Sequence, residues 1–369
     1  MPGAGCRWRL EKNKMHSRFY PALQAILAAV LFGASAPLSK LLLGEVQPVP
    51  LAAFLYLGSG TGAFLMLLLQ QFRSRGQTME AQLSRGDLPW LGGALLAGGV
   101  GAPIILLLGL QRTPASTASL LLNFEGVSTT LIAVSFFKES IDRRIAWAIG
   151  LITVASILLT WTVGNWGISL GALGIIGACF LWGLDNNFTR HISSKNPLII
   201  VGIKGLGAGT FSLVLGVLLR QQLPAFKIVL LAMLLGSISY GISIQLFIVA
   251  MRHMGAARTS TLFGIAPFIG VILSLVLLRE VPQTLFWIAL PVMLAGAWLM
   301  LTENHDHRHV HEPLEHNHRH SHPDEHHLHT GPEAVPLVNG AHTHPHRHDK
   351  LEHEHAHAPD LHHRHDHPK

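Results

Sequence analysis

Three ionisable side chains stand inside otherwise apolar runs: Glu125 in "ASLLLNFEGVSTTLIAV", Asp185 in "CFLWGLDNNFTR" and Lys204 in "PLIIVGIKGLGAG". In a helix surrounded by hydrocarbon, a charge near the centre costs at least about 2.5–3.5 kcal/mol. Such groups persist when they face a partner or a water-filled gap. Glu125, flanked by Asn123 and Gly126, could touch a polar solute or take a proton; the alternative is a structural hydrogen bond or ion pair between helices. Asp185 is followed by Asn186 and Asn187 and preceded by Trp182. Asn186 and Arg190 are four residues apart and share a helix face, as do Asp185 and Thr189. The trio therefore points in more than one direction and cannot all contact one ligand. It lines a polar gap, or else it plugs a helix end. Lys204 lies about two turns into its run. It either snorkels to the interface or pairs with Glu125, Asp185 or an anionic group. Tyr240 and Gln245 are further polar candidates.

A second chemistry sits at the C-terminus. His305, His307, His309 and His311, then His316, His318, His320 and His322, alternate with other residues. The pattern returns at His342, His344, His346 and His348 and at His353, His355 and His357, with His305 and Glu315 lying 37 residues before His342 and Glu352. Neutral imidazole ligates Zn, Ni or Co. Overlapping His sites without thiolates imply a tail that buffers or senses cytosolic metal at more than one site. The alternative is a solvated, pH-sensitive acidic tail lying against basic loops. Few apolar residues and recurrent Pro predict disorder for 303–369. No other cofactor is required by any motif, and no phosphate loop or HExxH occurs.

These groups need elements to hold them. The chain has 369 residues, 49% hydrophobic and 13% charged, a membrane composition. Residues 1–302 carry 21 Lys/Arg against 9 Asp/Glu, whereas 303–369 carry 6 against 12 and 22 of the 25 His. Two different materials are joined near Thr302. Cys6 and Cys179 make no disulfide framework. Ten runs are long and apolar enough to span a bilayer: 21–43, 49–72, 88–110, 115–137, 145–162, 168–189, 197–219, 226–250, 256–278 and 284–302. With the N-terminus cytoplasmic, inside loops collect 15 Lys/Arg and outside loops 5. That bias puts both termini in the cytoplasm. The basic excess then belongs to loops, with no nucleic-acid partner implied. Short loops leave no room for a soluble catalytic domain, so an enzyme is not expected.

The chain also repeats itself. "FGASAPLSK" (32–40) lies over "WGLDNNFTR" (182–190), and "LQRTPASTASLLL" lies over "MRHMGAARTSTLF", at offsets of 150 and 141 residues. Lys138-Glu139 meets Arg279-Glu280. Each half holds five helices, and an odd number inverts one half against the other, the architecture of secondary transporters with a site near the midplane. The fold expected is all-α: ten transmembrane helices as two inverted five-helix repeats, plus the His-rich tail. The boundaries are 1–20 (N-terminal tail), 21–162, 168–302 and 303–369.

The aromatic-Gly openings of helices one and six, the run "ASTASLLLNFEGVSTTLIAVSFFKE" and its helix-nine partner resemble the EamA-type members of the drug/metabolite transporter superfamily. Gly126 departs from the pattern, in which many relatives carry Pro; Pro267 keeps it in the second half. The resemblance implies a multi-pass inner- or plasma-membrane transporter. Its cavity would be lined by helices one to four and six to nine, with five and ten peripheral and able to support a homodimer. The expected cargo is a small polar organic metabolite or drug, moved by alternating access with export as the family lean. The alternatives are a divalent-metal transporter and a metal-sensing membrane protein.

Overall fold

The computed structural model describes residues 20–73, 83–137, 143–162, 167–192, 195–254, 259, 262–301 and four tail segments, 305–311, 314–321, 341–348 and 351–357. The N-terminal tail before Tyr20, Lys138-Glu139, His322 and most of 255–261 lie outside the described residues.

The membrane-like part is helical. We number its helices α1 (Tyr20–Leu42), α2 (Pro48–Arg73), α3 (Arg85–Arg112), α4 (Ala115–Leu121, then Phe124–Phe137), α5 (Arg143–Thr160), α6 (Leu170–His191), α7 (Pro197–Leu218), α8 (226–254), α9 (Ala266–Leu277) and α10 (Thr284–Leu301). Seven helices, α1 to α5, α7 and α8, are long and apolar enough to cross a membrane. The chain is thus an integral membrane protein. α6 is as long as α7, but Asp185, Asn186 and Asn187 dilute its apolar window. α9 and α10 are shorter apolar helices.

Two sequence boundaries shift. Residues 161–162, placed at the end of helix five, and 168, placed at the start of helix six, form a two-residue antiparallel ribbon, β1 (Trp161–Thr162) with β2 (Gly167–Ile168). Trp and Thr favour strand at a turn. α6 starts at Leu170, and the Ser169 side chain accepts from Ala172 N at 3.3 Å, an N-cap.

Three helices are locally irregular. α3 contains a π-helical segment, Leu95–Gly101, and α8 contains one at Ser237–Ile242. The two lie 142 residues apart, close to the repeat offset. α4 is interrupted at 122–123, where Asn123 N and Glu125 N bond three residues back, to Leu120 O (3.3 Å) and Leu122 O (3.1 Å). This break occurs with Gly126 in place of Pro. The chain also turns at 264–265, just ahead of α9. Departures from regular helix thus recur at matching places in the two halves.

Helices of one half pack on those of the other. α2 lies on α7, α5 on α10, α3 and α4 on α6, and α4 and α1 on α9. The α2–α7 crossing is close because its contact residues are glycines. A Cβ on Gly205 would sit 2.4 Å from Gly60 N, and one on Gly209 2.6 Å from Leu57 N. The core runs through Leu51, Leu55, Leu107, Leu110, Leu120 and Ile175, all at most 2% exposed.

In the tail, β3 (His305–His311) pairs antiparallel with β6 (Leu351–His357), and β4 (Leu314–Ser321) with β5 (Ala341–His348). These pairings cover the described tail segments alone, where the alternation of His with other residues has the period-two spacing of a strand.

Candidate functional site

The site begins at the break in α4. The break ends at Phe124, so Glu125 stands in the first turn of the second segment and is only part-buried. Across from it runs α6. Asn186 Nδ2 donates to Glu125 Oε1 at 2.8 Å and to Thr129 Oγ1 at 3.1 Å. Thr129, one turn beyond Glu125, also donates to Glu125 O. Among the described residues the second oxygen of Glu125 has no hydrogen-bond partner.

The three polar residues of α6 separate, as their spacing requires. Asn187 is buried and donates to Thr129 O at 3.1 Å and Gly183 O at 2.8 Å, a structural tie between α6 and α4. Asp185 is 7% exposed and turns to α7 and α3. Lys204 Nζ reaches its two oxygens at 2.5 and 2.7 Å, and Thr189 Oγ1 donates to Oδ1 at 2.9 Å. Lys204 therefore pairs rather than snorkels. Asn186 alone of the trio is exposed. Asn123 bonds locally, Nδ2 to Leu120 O at 3.0 Å, and Gln245 is part-exposed on α8.

Gly98 joins this charge pair to a set of aromatic rings. In the π segment Ala102 N bonds Ala97 O, five residues back, instead of Gly98 O. The next residue, Pro103, has no N–H. Gly98 O is left without a helical donor, and a buried carbonyl must find one. It accepts from Tyr56 Oη at 2.7 Å and from Trp182 Nε1 at 3.1 Å. The same glycine permits Asp185 to approach: a Cβ there would lie 1.9 Å from Asp185 Oδ2. From Tyr56 the rings continue. Tyr56 stacks on Tyr240 at 5.9 Å, Tyr240 meets Phe32 edge-on at 5.8 Å, and Phe32 meets Phe263 at 5.3 Å. All five rings are part-exposed.

Sequence reasoning placed Glu125, Asp185, Asn186, Asn187, Lys204, Asn123 and Trp182 as candidates. The fold brings Glu125 to Asn186, and Asp185 to Lys204, with Trp182 beside Asp185 through Gly98. It missed Tyr56, Thr129, Gly98 and Phe32. A signal existed for two of them: Thr129 follows Glu125 by four residues, and Gly98 precedes Pro103 by five.

At one end of the molecule, side chains from α1 and from the segment after α9 grip the α3–α4 turn. Lys40 Nζ donates to Leu110 O, to Gln111 O at 3.3 Å and to Thr113 O at 2.9 Å. Glu280 accepts from Ala115 N at 2.6 Å and Ser116 N at 2.8 Å, the free amides of the first turn of α4. Gly270 of α9 packs on Ser119 of α4 there, so close that a Cβ would lie 2.7 Å from Ser119 Oγ.

For the tail, the register sets His305, His307 and His309 opposite His357, His355 and His353, and His316, His318 and His320 opposite His346, His344 and His342. His311 faces Leu351, and His348 faces Leu314. Among the described residues no group of three or more His, Cys, Asp or Glu side chains is assembled to hold a metal ion.

A helical membrane protein with two similar halves and a polar, aromatic cluster between them is the class these features define. The chain belongs to the EamA-like transporter family, whose model matches residues 20–161 and again 169–302. An uncharacterized transporter of Methanothermobacter thermautotrophicus is 28% identical over 306 residues, covering 79% of this chain and 88% of the relative. A solved crystal structure of a protein shares the fold at 19% identity with TM-score 0.56, covering 76% of this chain and 96% of its own.

Proposed function

We propose that this chain is a ten-span secondary transporter of a small polar organic solute, working by alternating access with export as its direction and both termini cytoplasmic. The observation that carries the reading is Glu125. It is an acid at a helix break, part-exposed, held by one neutral amide, and placed among helices of both halves. An acid that served only to tie helices together would have both oxygens engaged.

The packing supports a rocking motion. α3, α4 and α6 form one body; α8, α9 and α1 are its repeat-related counterpart. Lys40 and Glu280 join the two bodies at one end, which the loop-charge bias assigns to the outside. With that end latched, Asn186 is the exposed member of the trio. Glu125 and Asn186 handle solute or proton; Asp185, Lys204, Asn123, Asn187 and Trp182 set the shape and charge of the wall.

The test compares metabolite pools of cells carrying wild-type protein, Glu125→Gln, or none. Some organic solute should depend on wild type. Its flux should drop at least about tenfold in Glu125→Gln, the loss of about 1.4 kcal/mol of transition-state stabilisation, with membrane levels and folding unchanged. Equal flux in the two proteins would remove Glu125 from the mechanism.

The tail supports a second role. We assign to it cytosolic binding of Zn, Ni or Co by histidines that the strand register places opposite one another. Calorimetry on full-length protein and on protein ending at Thr302 should give several metal equivalents for the first and none for the second. A metal-transport role would further require that truncation abolish metal tolerance; the reading here is that organic-solute transport survives it.

A further inference from the structure

Thr129 stands one turn beyond Glu125 on α4 and spends its single hydroxyl hydrogen on Glu125 O at 2.9 Å. Back-bonding of this kind is usual for Thr inside a helix, and Thr130 repeats it on Gly126 O at 2.9 Å. Thr129 differs in what meets its lone pairs. Asn186 lies 3.1 Å from its oxygen, which can only accept because its hydrogen is committed. The atom of Asn186 turned to Thr129 must therefore be the nitrogen. A half-turn of the amide would set oxygen against oxygen. Nδ2 carries two hydrogens; one goes to Thr129 and the other to Glu125 Oε1 at 2.8 Å.

Backbone contacts fix the reach of this hydroxyl. Asn187 Nδ2 ties Thr129 O, at 3.1 Å, to Gly183 O, at 2.8 Å. α4 and α6 touch at Gly183, where a Cβ would lie 2.9 Å from Ser128 C and Thr129 N. Thr129 and Asn186 are thus held together by their neighbours. Two acceptors are left over: among the described residues, neither Glu125 Oε2 nor Asn186 Oδ1 has a hydrogen-bond partner. Oε1 stays an acceptor whether or not the acid is ionised, so a proton or a solute donor reaches Glu125 at Oε2. Without the hydroxyl, the amide is free to turn. A proton on Oε1 would then be taken up by Asn186 Oδ1, and the acid would be satisfied internally instead of towards the crevice.

We propose that Thr129 is a positioning residue of the site. Its hydroxyl holds the Asn186 nitrogen towards Glu125, so that exchange with solute or proton takes place at Oε2 alone. This rests on the transporter reading of Glu125, and it gives the exposed amide a fixed polarity that the acid alone cannot impose.

The experiment needs no solute, because the proton is the probe. Infrared difference spectra are recorded on full-length protein in proteoliposomes as the pH is lowered, and the carboxyl C=O band of Glu125 is identified by its loss in Glu125→Gln. In the wild type that carbonyl is Oε1 and accepts from Asn186, which lowers its frequency. Thr129→Val should move the band to higher wavenumber, since the carbonyl becomes the unpartnered Oε2; Thr129→Ala, run beside it, should do the same. Thr129→Ser should restore the wild-type position, and Thr130→Val should leave it alone. In Asn186→Ala the band should already lie high, and adding Thr129→Val should shift it no further. A band unmoved by Thr129→Val, an equal shift in Thr130→Val, a further shift in the double variant, or no Glu125 band at any pH at which the protein is folded would each overturn the proposal. If the band pattern holds and Glu125→Gln leaves metabolite flux unchanged, the positioning role stands and the transport reading of Glu125 falls. If flux depends on Glu125 and the pattern is absent, transport stands and the role of Thr129 falls.

Discussion

Asp185 and Lys204 show how a pair of charges can be affordable in a membrane and still be a liability to any single substitution. Asp185 is 7% exposed; alone, it would be an uncompensated charge in low dielectric. Breaking such a pair by removing one partner costs about 3–5 kcal/mol, whereas replacing both by apolar groups is often nearly neutral. Lys204→Met is therefore expected to lower the unfolding temperature of the detergent-solubilised protein sharply, and adding Asp185→Leu should recover most of the loss. If Lys204→Met alone leaves the melting temperature unchanged, Lys204 is not the counter-ion. At this scale the sequence marks which residues are unusual and leaves their partners open. The four-residue spacing already requires Asp185 and Asn186 to face different ways. That Asp185 meets Lys204, and that Asn187 ties α6 to α4 through Thr129 O, depends on which helices are neighbours. No local pattern encodes that.

The helices themselves follow hydropathy closely, to within a few residues at most ends. The interruptions do not. "LLAGGVGAP" reads as ordinary apolar helix, because a π segment changes hydrogen bonding without changing side-chain type. Only Pro103, with no N–H to give, hints that a carbonyl upstream will be free. That carbonyl positions two of the rings. Pro103→Ala restores a donor that competes with Tyr56 and Trp182 for the backbone of the segment. The variant should fold at least as stably as wild type, since a helix-interior Pro is unfavourable, yet transport several-fold more slowly. Melting temperature and flux measured together check it: unchanged flux would mean that the free carbonyl is incidental. The polar trio had the opposite effect on legibility. It identified α6 as the chemically interesting helix and, for the same reason, made it the long helix that falls short of membrane-spanning hydropathy.

At the level of the whole molecule, the two repeats state more than any motif. Their offsets pair Lys40 with Arg190 and Glu280 with Glu139, and the fold gives the first member of each pair the task of capping helix ends across the boundary between bodies. Glu280 satisfies two amides of the first turn of α4, where a negative charge also opposes the helix dipole. Charge-assisted bonds of this kind contribute about 1.5–3 kcal/mol each when well made. In a transporter with two states of similar energy, losing them need not unfold the protein. It should unlatch that end. An equilibrium shift of about 2.7 kcal/mol changes a population ratio about a hundredfold, enough to reverse which state dominates. Glu280→Ala is thus expected to increase labelling of a cysteine at Ala36 by a membrane-impermeant thiol reagent added from outside, in a background with Cys6 and Cys179 replaced by Ser, and to slow transport because the return step loses its resting place. Labelling unchanged from the parent would show that the Glu280 cap is a static brace and that the motion turns on other contacts.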